Sequence, residues 1–262
     1  MLEIKNISKT FNAGTVNETL ALDRMNLSLS QGEFICVIGG NGSGKSTLLN
    51  SIAGVFPVDS GQIIVDGSDV TGLSDFKRAT YLGRVFQDPM LGSASNMTIE
   101  ENLALALRRG KTRGLSRGVP KSERDQYREA LSLLDLGLEN RMNAKVGLLS
   151  GGQRQAITLL MATIKKPKLL LLDEHTAALD PKTAAKVLEL SDMLIKRDNL
   201  TTLMVTHNMK DAIRYGDRLI MMSGGHLVFE AAGEEKRSLT VKDIIEKFST
   251  ISAGDYGAAL LS

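Results

Sequence analysis

The chain has 262 residues, 42% of them hydrophobic, with 32 basic and 30 acidic side chains and a formal net charge of +2. That is enough apolar content for a packed core in one large domain or two small ones, and the balanced charge gives no global reason to expect nucleic-acid binding or a disordered tail. One cysteine, Cys36 inside FICVIG, excludes an internal disulfide and predicts a buried thiol in a reducing compartment.

The N-terminus, MLEIKNISKTF, alternates like a strand and has no apolar signal core. No apolar run approaches the roughly 18 residues of a membrane span, so a soluble, cytoplasmic chain is expected. LEIKNI, the stretch around MNLSL and QIIVDG predict strands joined by polar turns, while EFICVIG leads into a glycine-rich turn and a helix. YLGRVF, KLLLLD and TLMVT are short apolar runs without strict alternation, as expected of strands buried on both faces of a parallel sheet. Between YLGRVF and KLLLLD, residues 88–165 carry helical patterns such as TIEENLALAL and REALSLLDLGL, which predict a helical insertion within a sheet domain. RLIMMSGGHLVFE predicts a hairpin turned at Ser223-Gly224-Gly225, and Thr240-Val241-Lys242-Asp243 predicts a helix start in the tail.

The first chemical motif is Gly39-Gly40-Asn41-Gly42-Ser43-Gly44-Lys45-Ser46-Thr47, the phosphate-loop pattern G-x-x-x-x-G-K-[ST] between a strand and a helix. Its glycines let successive backbone N–H groups turn inward, and the helix start adds positive potential, so the loop suits a polyphosphate. Lys45 is expected to reach the β- and γ-phosphates and the Ser46 hydroxyl to coordinate Mg²⁺. The run LLLLDEHTAALD at 169–180 ends in two adjacent acids. Successive strand residues point to opposite sides, so separate tasks are expected: Asp173 in the metal shell and Glu174 as general base for the attacking water. For either acid alone, a helix cap would be an ordinary alternative.

A second anion-ready turn is LLSGGQRQA at 148–156, where Ser150, Gly151, Gly152 and Gln153 open a helix. Alone, a Ser-Gly-Gly stretch is a helix-capping turn. One ATP needs one cradle, and taken with residues 39–47 this second turn resembles the signature of the ATP-binding cassette family, over about the whole chain to residue 230. The resemblance implies an α/β fold: a P-loop NTPase core with a mostly parallel sheet and an antiparallel β subdomain (1–87 and 166–230), an inserted helical subdomain (88–165) and a tail (231–262). It implies that the signature of one copy clamps the nucleotide held by a second copy, so that no monomer contains a complete site.

By the same resemblance, Gln87 is similar to the glutamine that touches Mg²⁺ and the attacking water, and His207 to the histidine that contacts the γ-phosphate. Ala178-Leu179-Asp180 is similar to the segment where two cassettes meet, and Phe11 to the aromatic that stacks on adenine. Otherwise His207 would cap the helix NMKDAIRY and Phe11 would be core. FQDPM followed by NMTIEENLALA resembles importer cassettes. The partners implied are a second copy, integral membrane permease subunits and, indirectly, an extracytoplasmic solute-binding protein; the chain would sit peripherally on the inner face of the cell membrane. A soluble cassette serving a cytosolic assembly scaffold would carry the same ATP motifs.

Two features depart from the pattern. His175 stands where the family commonly has proline. The basic stretch 108–124, without aromatics, reads first as a solvated loop, then as a lipid or permease contact, and last as a nucleic-acid surface.

Overall fold

The computed structural model describes the backbone of residues 1–111 and 118–259, and side chains up to residue 250 outside that gap. Residues 112–117, the middle of the basic stretch, lie outside the described residues. In chain order the elements are β1 (Leu2–Phe11), β2 (Thr19–Leu29), β3 (Phe34–Gly39), α1 (Lys45–Ala53), β4 (Ser60–Val65) and β5 (Ser68–Asp69). There follow α2 (Asp75–Arg78), β6 (Leu82–Val85), α3 (Ile99–Leu107), α4 (Arg124–Ser132), α5 (Gly151–Thr163), β7 (Leu169–Asp173) and α6 (Pro181–Asp198). The chain continues with β8 (Thr201–Val205), α7 (Met209–Arg214), β9 (Arg218–Ser223), β10 (His226–Ala232), α8 (Gly233–Ser238) and α9 (Val241–Ala259). Two compact units result: Met1–Gly72 with Leu203–Ser262, and Leu73–Thr202.

In the first unit, β1 and β2 pair antiparallel with Leu2 opposite Leu29 and Ile4 opposite Leu27, and all four of these side chains are buried. Their period-two spacing places them on one face, which is why this ribbon alternates in sequence. With β4 and β5 it makes an antiparallel sheet of order β2-β1-β4-β5. A second run of strands has the order β10-β9-β3-β8, with β3 and β9 parallel. Residues 34–38 of β3 are all buried, as the unbroken apolar run requires. The β9–β10 hairpin turns through Gly224 and Gly225, both with positive φ, where the sequence places it.

Lys236 of α8 locks the end of α7. Its ammonium is buried and donates to the carbonyls of Ile213, Tyr215 and Gly216 at 2.7, 2.7 and 2.9 Å. A cation here satisfies carbonyls that the helix C-terminus leaves open, although burial pulls the ammonium below its usual range. The Cys36 thiol donates to the Tyr215 carbonyl at 3.1 Å, and burial pushes it up to about 12, so it is the inert core thiol expected.

In the second unit, β6 and β7 are parallel neighbours with Leu82 opposite Leu169 and Val85 opposite Leu172. α5 packs against β6, α3 and α6. α3 begins with a full capping box: Thr98 accepts from the Glu101 amide while Glu101 accepts from the Thr98 amide at 2.7 Å. The pattern REALSLLDLGL predicts helix to Leu138, but α4 ends at Ser132. Asp135 (φ 51) and Gly137 (φ 68) take left-handed conformations, and Leu134 and Leu138 are buried from a turn instead. Helical spacing and a buried turn place the same leucines inward, so periodicity alone does not separate them.

Candidate functional site

The candidate residues divide between the two units. In the first, β3 delivers the chain to Gly39 and residues 40–44 turn it into α1. Gly44 has φ 98, and a Cβ there would lie 2.5 Å from the Ala21 carbonyl oxygen, so both conformation and space demand glycine. At Gly40 a Cβ would meet no protein atom within 4 Å, so this glycine borders open space. The Lys45 ammonium donates to the Gly39 and Gly40 carbonyls at 2.8 Å each, and the residue is 5% exposed. The loop therefore holds a fixed cation beside the start of a helix, with Ser46 exposed one residue on.

Phe11, at the end of β1, meets Phe56 edge to face, with centroids 5.2 Å apart and planes at 82°. Both rings are half-buried. Phe11 is thus half of an aromatic pair whose second member lies 45 positions on, where no spacing rule points to it. His207 follows β8 and is exposed. It does not cap α7: the Asn208 side chain accepts the Lys210 and Asp211 amides at 3.0 and 3.4 Å.

In the second unit, β7 is buried up to Leu172 and lifts Asp173 to its half-buried end. The Arg84 guanidinium on β6 donates to Asp173 Oδ2 at 2.9 Å. Glu174 has φ 44, a left-handed conformation that costs a non-glycine residue about 1 kcal/mol. The turn is closed by the Ala177 amide donating to the Glu174 carbonyl at 2.9 Å. Gln87 is exposed just beyond β6, and the Phe86 carbonyl before it accepts from Gln155 Nε2 at 3.1 Å.

His175 packs between the turn after β7 and α6. It is buried, with Nε2 2.9 Å from Ser191 Oγ, and that hydroxyl donates its one proton to the Val187 carbonyl at 2.8 Å. The imidazole nitrogen is therefore the donor, which places its proton on Nε2. The residue after Glu174 is thereby tied to α6, and burial lowers the imidazole from 6.5 to about 4. A histidine depressed in the fold contributes stability that is fully present above the unfolded value and is lost as pH falls through the folded one. Wild type should therefore lose on the order of 3 kcal/mol relative to His175→Asn between pH 6.5 and about 4. Parallel pH–stability curves for the two proteins in denaturant titrations would rule this out.

The signature turn caps α5. Ser150 Oγ accepts the Gln153 amide at 3.3 Å, and Gln153 Oε1 accepts the Ser150 amide at 3.2 Å. Arg154 braces the approach by donating to the carbonyls of Val146, Gly147 and Leu149 at 3.3, 3.1 and 3.1 Å. Ser150 and Gly151 are exposed, whereas Gly152 is buried, and a Cβ on it would lie 2.1 Å from Thr183 Cγ2. Asp180 caps α6 by accepting the Thr183 amide at 3.1 Å; hydrogen bonds from Thr183 hold its carboxyl below the usual range.

These groups fit a magnesium nucleotide in kind. Ser46 and Gln87 offer exposed oxygen donors, Asp173 keeps Oδ1 outside its ion pair, and hard divalent cations prefer oxygen. The open space at Gly40 and the fixed Lys45 cation suit a phosphate chain. Arg84 and Phe56 escape the sequence reading. Arg84 had a signal, a charged side chain inside an apolar strand; Phe56 had none.

The sequence matches the ABC transporter family over residues 22–177. It is 46% identical to the tyrosine transport ATP-binding protein of Clostridioides difficile (strain R20291), an alignment covering 95% of this chain and 98% of that protein. It is 35% identical to the spermidine/putrescine import ATP-binding protein PotA of Haemophilus influenzae, with 90% of this chain aligned but only 59% of that one. Among solved structures, a dimeric ATP-binding cassette in a post-hydrolysis state bound to ADP and Pi superimposes with a TM-score of 0.75 at 33% identity, over 88% of this chain and 98% of the other.

Proposed function

This chain belongs to the ABC transporter family and is an ATPase of the P-loop α/β fold, and we propose that it dimerises around two ATP molecules to drive a membrane permease for small-solute import. The observation that carries the shared-site reading is the presence of two anion-ready helix starts in one chain, Gly44–Lys45 at α1 and Ser150–Gly151 at α5. A single triphosphate uses one of them, and a second copy supplies the use for the other.

Residues 39–47 bind the phosphates, with Lys45 on the β- and γ-phosphates, and Phe11 stacks on adenine. Ser46, Gln87 and Asp173 hold Mg²⁺, whose charge when bound neutralises the phosphate oxygens. Glu174 accepts the proton of the attacking water, and His207 contacts the γ-phosphate. Ser150, Gly151, Gly152 and Gln153 close on the partner copy's nucleotide, with Asp180 at the junction. Residues 1–87 and 166–230 form the core and β subdomain, 88–165 the helical arm that a permease grips, and 231–262 a tail.

Among the described residues no helix is long and apolar enough to cross a membrane. We place the chain peripherally on the inner face of the cell membrane, its permease receiving solute from a binding protein. The C. difficile relative is named for tyrosine transport and aligns over nearly both full lengths, which supports an amino acid as solute.

Residues 88–102 are the proposed docking surface. Gly92 is a poor crosslinking position, because a Cβ there meets Thr158 Cγ2 at 3.1 Å, whereas Leu91 is 70% exposed. Cys36 is buried and is left in place. Leu91→Cys in intact membranes should crosslink to an integral membrane protein with a yield that ATP changes, and Gln87→Ala should keep nucleotide binding while losing most stimulation by that partner. Capture of a soluble protein and no membrane protein would replace the importer reading with the scaffold reading.

A further inference from the structure

Asp173 is already engaged. Its Oδ2 accepts from Arg84 Nη2 at 2.9 Å across the parallel β6–β7 pair, and the two side chains are only 14% and 17% exposed. Such a pair is poorly screened by water, so the guanidinium acts on the carboxylate with more force than a surface arginine does. The arginine is also fixed from its other side. Its guanidinium carbon lies 4.6 Å from the centroid of the Phe86 ring, and the Phe86 carbonyl is held by Gln155 Nε2 at 3.1 Å. A cation so stacked does not swing away freely when a second cation approaches the same carboxylate.

We propose that Arg84 is a positioning residue that shares Asp173 with the divalent cation, so that guanidinium and metal compete for one carboxylate and the chain's demand for metal is set from β6. This rests on the reading above that places Asp173 in the metal shell. The ion pair orients the strand-end carboxylate, with Oδ1 outside the pair, and lowers the gain from placing a divalent ion beside it. Neutralising Arg84 should therefore strengthen the coupling between metal and nucleotide. An arginine that merely supported Asp173 would weaken that coupling when removed, so the two roles differ in sign.

The test is equilibrium binding of a fluorescent, non-hydrolysable ATP analogue to the full chain, with EDTA and across a Mg²⁺ titration. The readout is the ratio of Kd without metal to Kd with saturating Mg²⁺, together with the Mg²⁺ concentration at half effect; neither depends on turnover. Arg84→Gln and Arg84→Met should each raise the ratio about 3–10-fold and lower the half-effect concentration in proportion, while Arg84→Lys, which keeps the charge, should stay near wild type. In an Asp173→Asn background the same Arg84 changes should have no effect. A ratio that falls or stays constant in whichever neutral variant melts as a folded protein overturns the inference, as does an undiminished Arg84 effect in Asp173→Asn. If Asp173→Asn alone leaves the ratio at its wild-type value, it is the assignment of Asp173 to the metal that fails. A lowered ratio in Asp173→Asn with no Arg84 effect in the native background sinks the competition alone.

Discussion

Glu174→Gln should bind ATP as tightly as wild type, hydrolyse it about 10²–10⁴-fold more slowly, and accumulate as an ATP-bound dimer on sizing. The substitution keeps the shape of the side chain and removes only its capacity to take a proton from water. The left-handed backbone at Glu174 (φ 44) and the buried tether from His175 to Ser191 are both untouched by it, so no folding defect should obscure the result. Asp173→Asn serves as the contrast, because loss of charge there should show in metal-dependent binding before it shows in the chemical step. Near-normal turnover in Glu174→Gln, measured as phosphate release at saturating ATP, would end its assignment as the base.

The second large effect comes from splitting the shared site. Ser150→Arg removes the hydroxyl that caps α5 and sets a long cation on an exposed helix start, at a cost of about 1 kcal/mol in capping. It leaves residues 39–47 unaltered, so ATP should still bind, whereas ATPase activity should fall to background. Lys45→Ala should be inactive for the opposite reason, since the fixed cation of the phosphate loop is gone. Mixed in equal amounts, the two dead proteins should regain activity. Each heterodimer has one composite site carrying both lesions and one carrying neither, and random pairing predicts up to about a quarter of wild-type turnover. No recovery in a mixture shown to contain heterodimers, or wild-type activity strictly linear in concentration without an ATP-induced dimer, would refute the shared-site reading.

The turn at residues 39–47 was legible because its conformation is written in local sequence. Glycines, a lysine and a hydroxyl at set spacings after a strand act through main-chain N–H groups whose directions follow from local conformation, and the structure places them as that conformation requires. Cys36 was legible as a core thiol for an equally local reason, its place inside an unbroken apolar strand. Asp180, read only as part of the segment where two cassettes meet, proves to cap α6, and Ser150 was legible as a helix start and caps α5 as its residue type favours. The extent of α4 was not, because leucines at helical spacing are also buried by the turn through Asp135 and Gly137.

By itself the sequence determined the strand–turn–helix at residues 34–53 and the family to which the chain belongs, since each is encoded over a few consecutive residues or in motifs kept in fixed order. Only the tertiary structure decided what His175, Phe56 and Arg84 touch. His175 became a buried donor to Ser191, sixteen positions on; Phe56 came to lie against Phe11; and Arg84 became the partner of Asp173, eighty-nine positions away. These contacts join side chains on different strands and helices, and their strength depends on burial and on which neighbour the fold brings within about 3–5 Å, which neither spacing nor composition specifies.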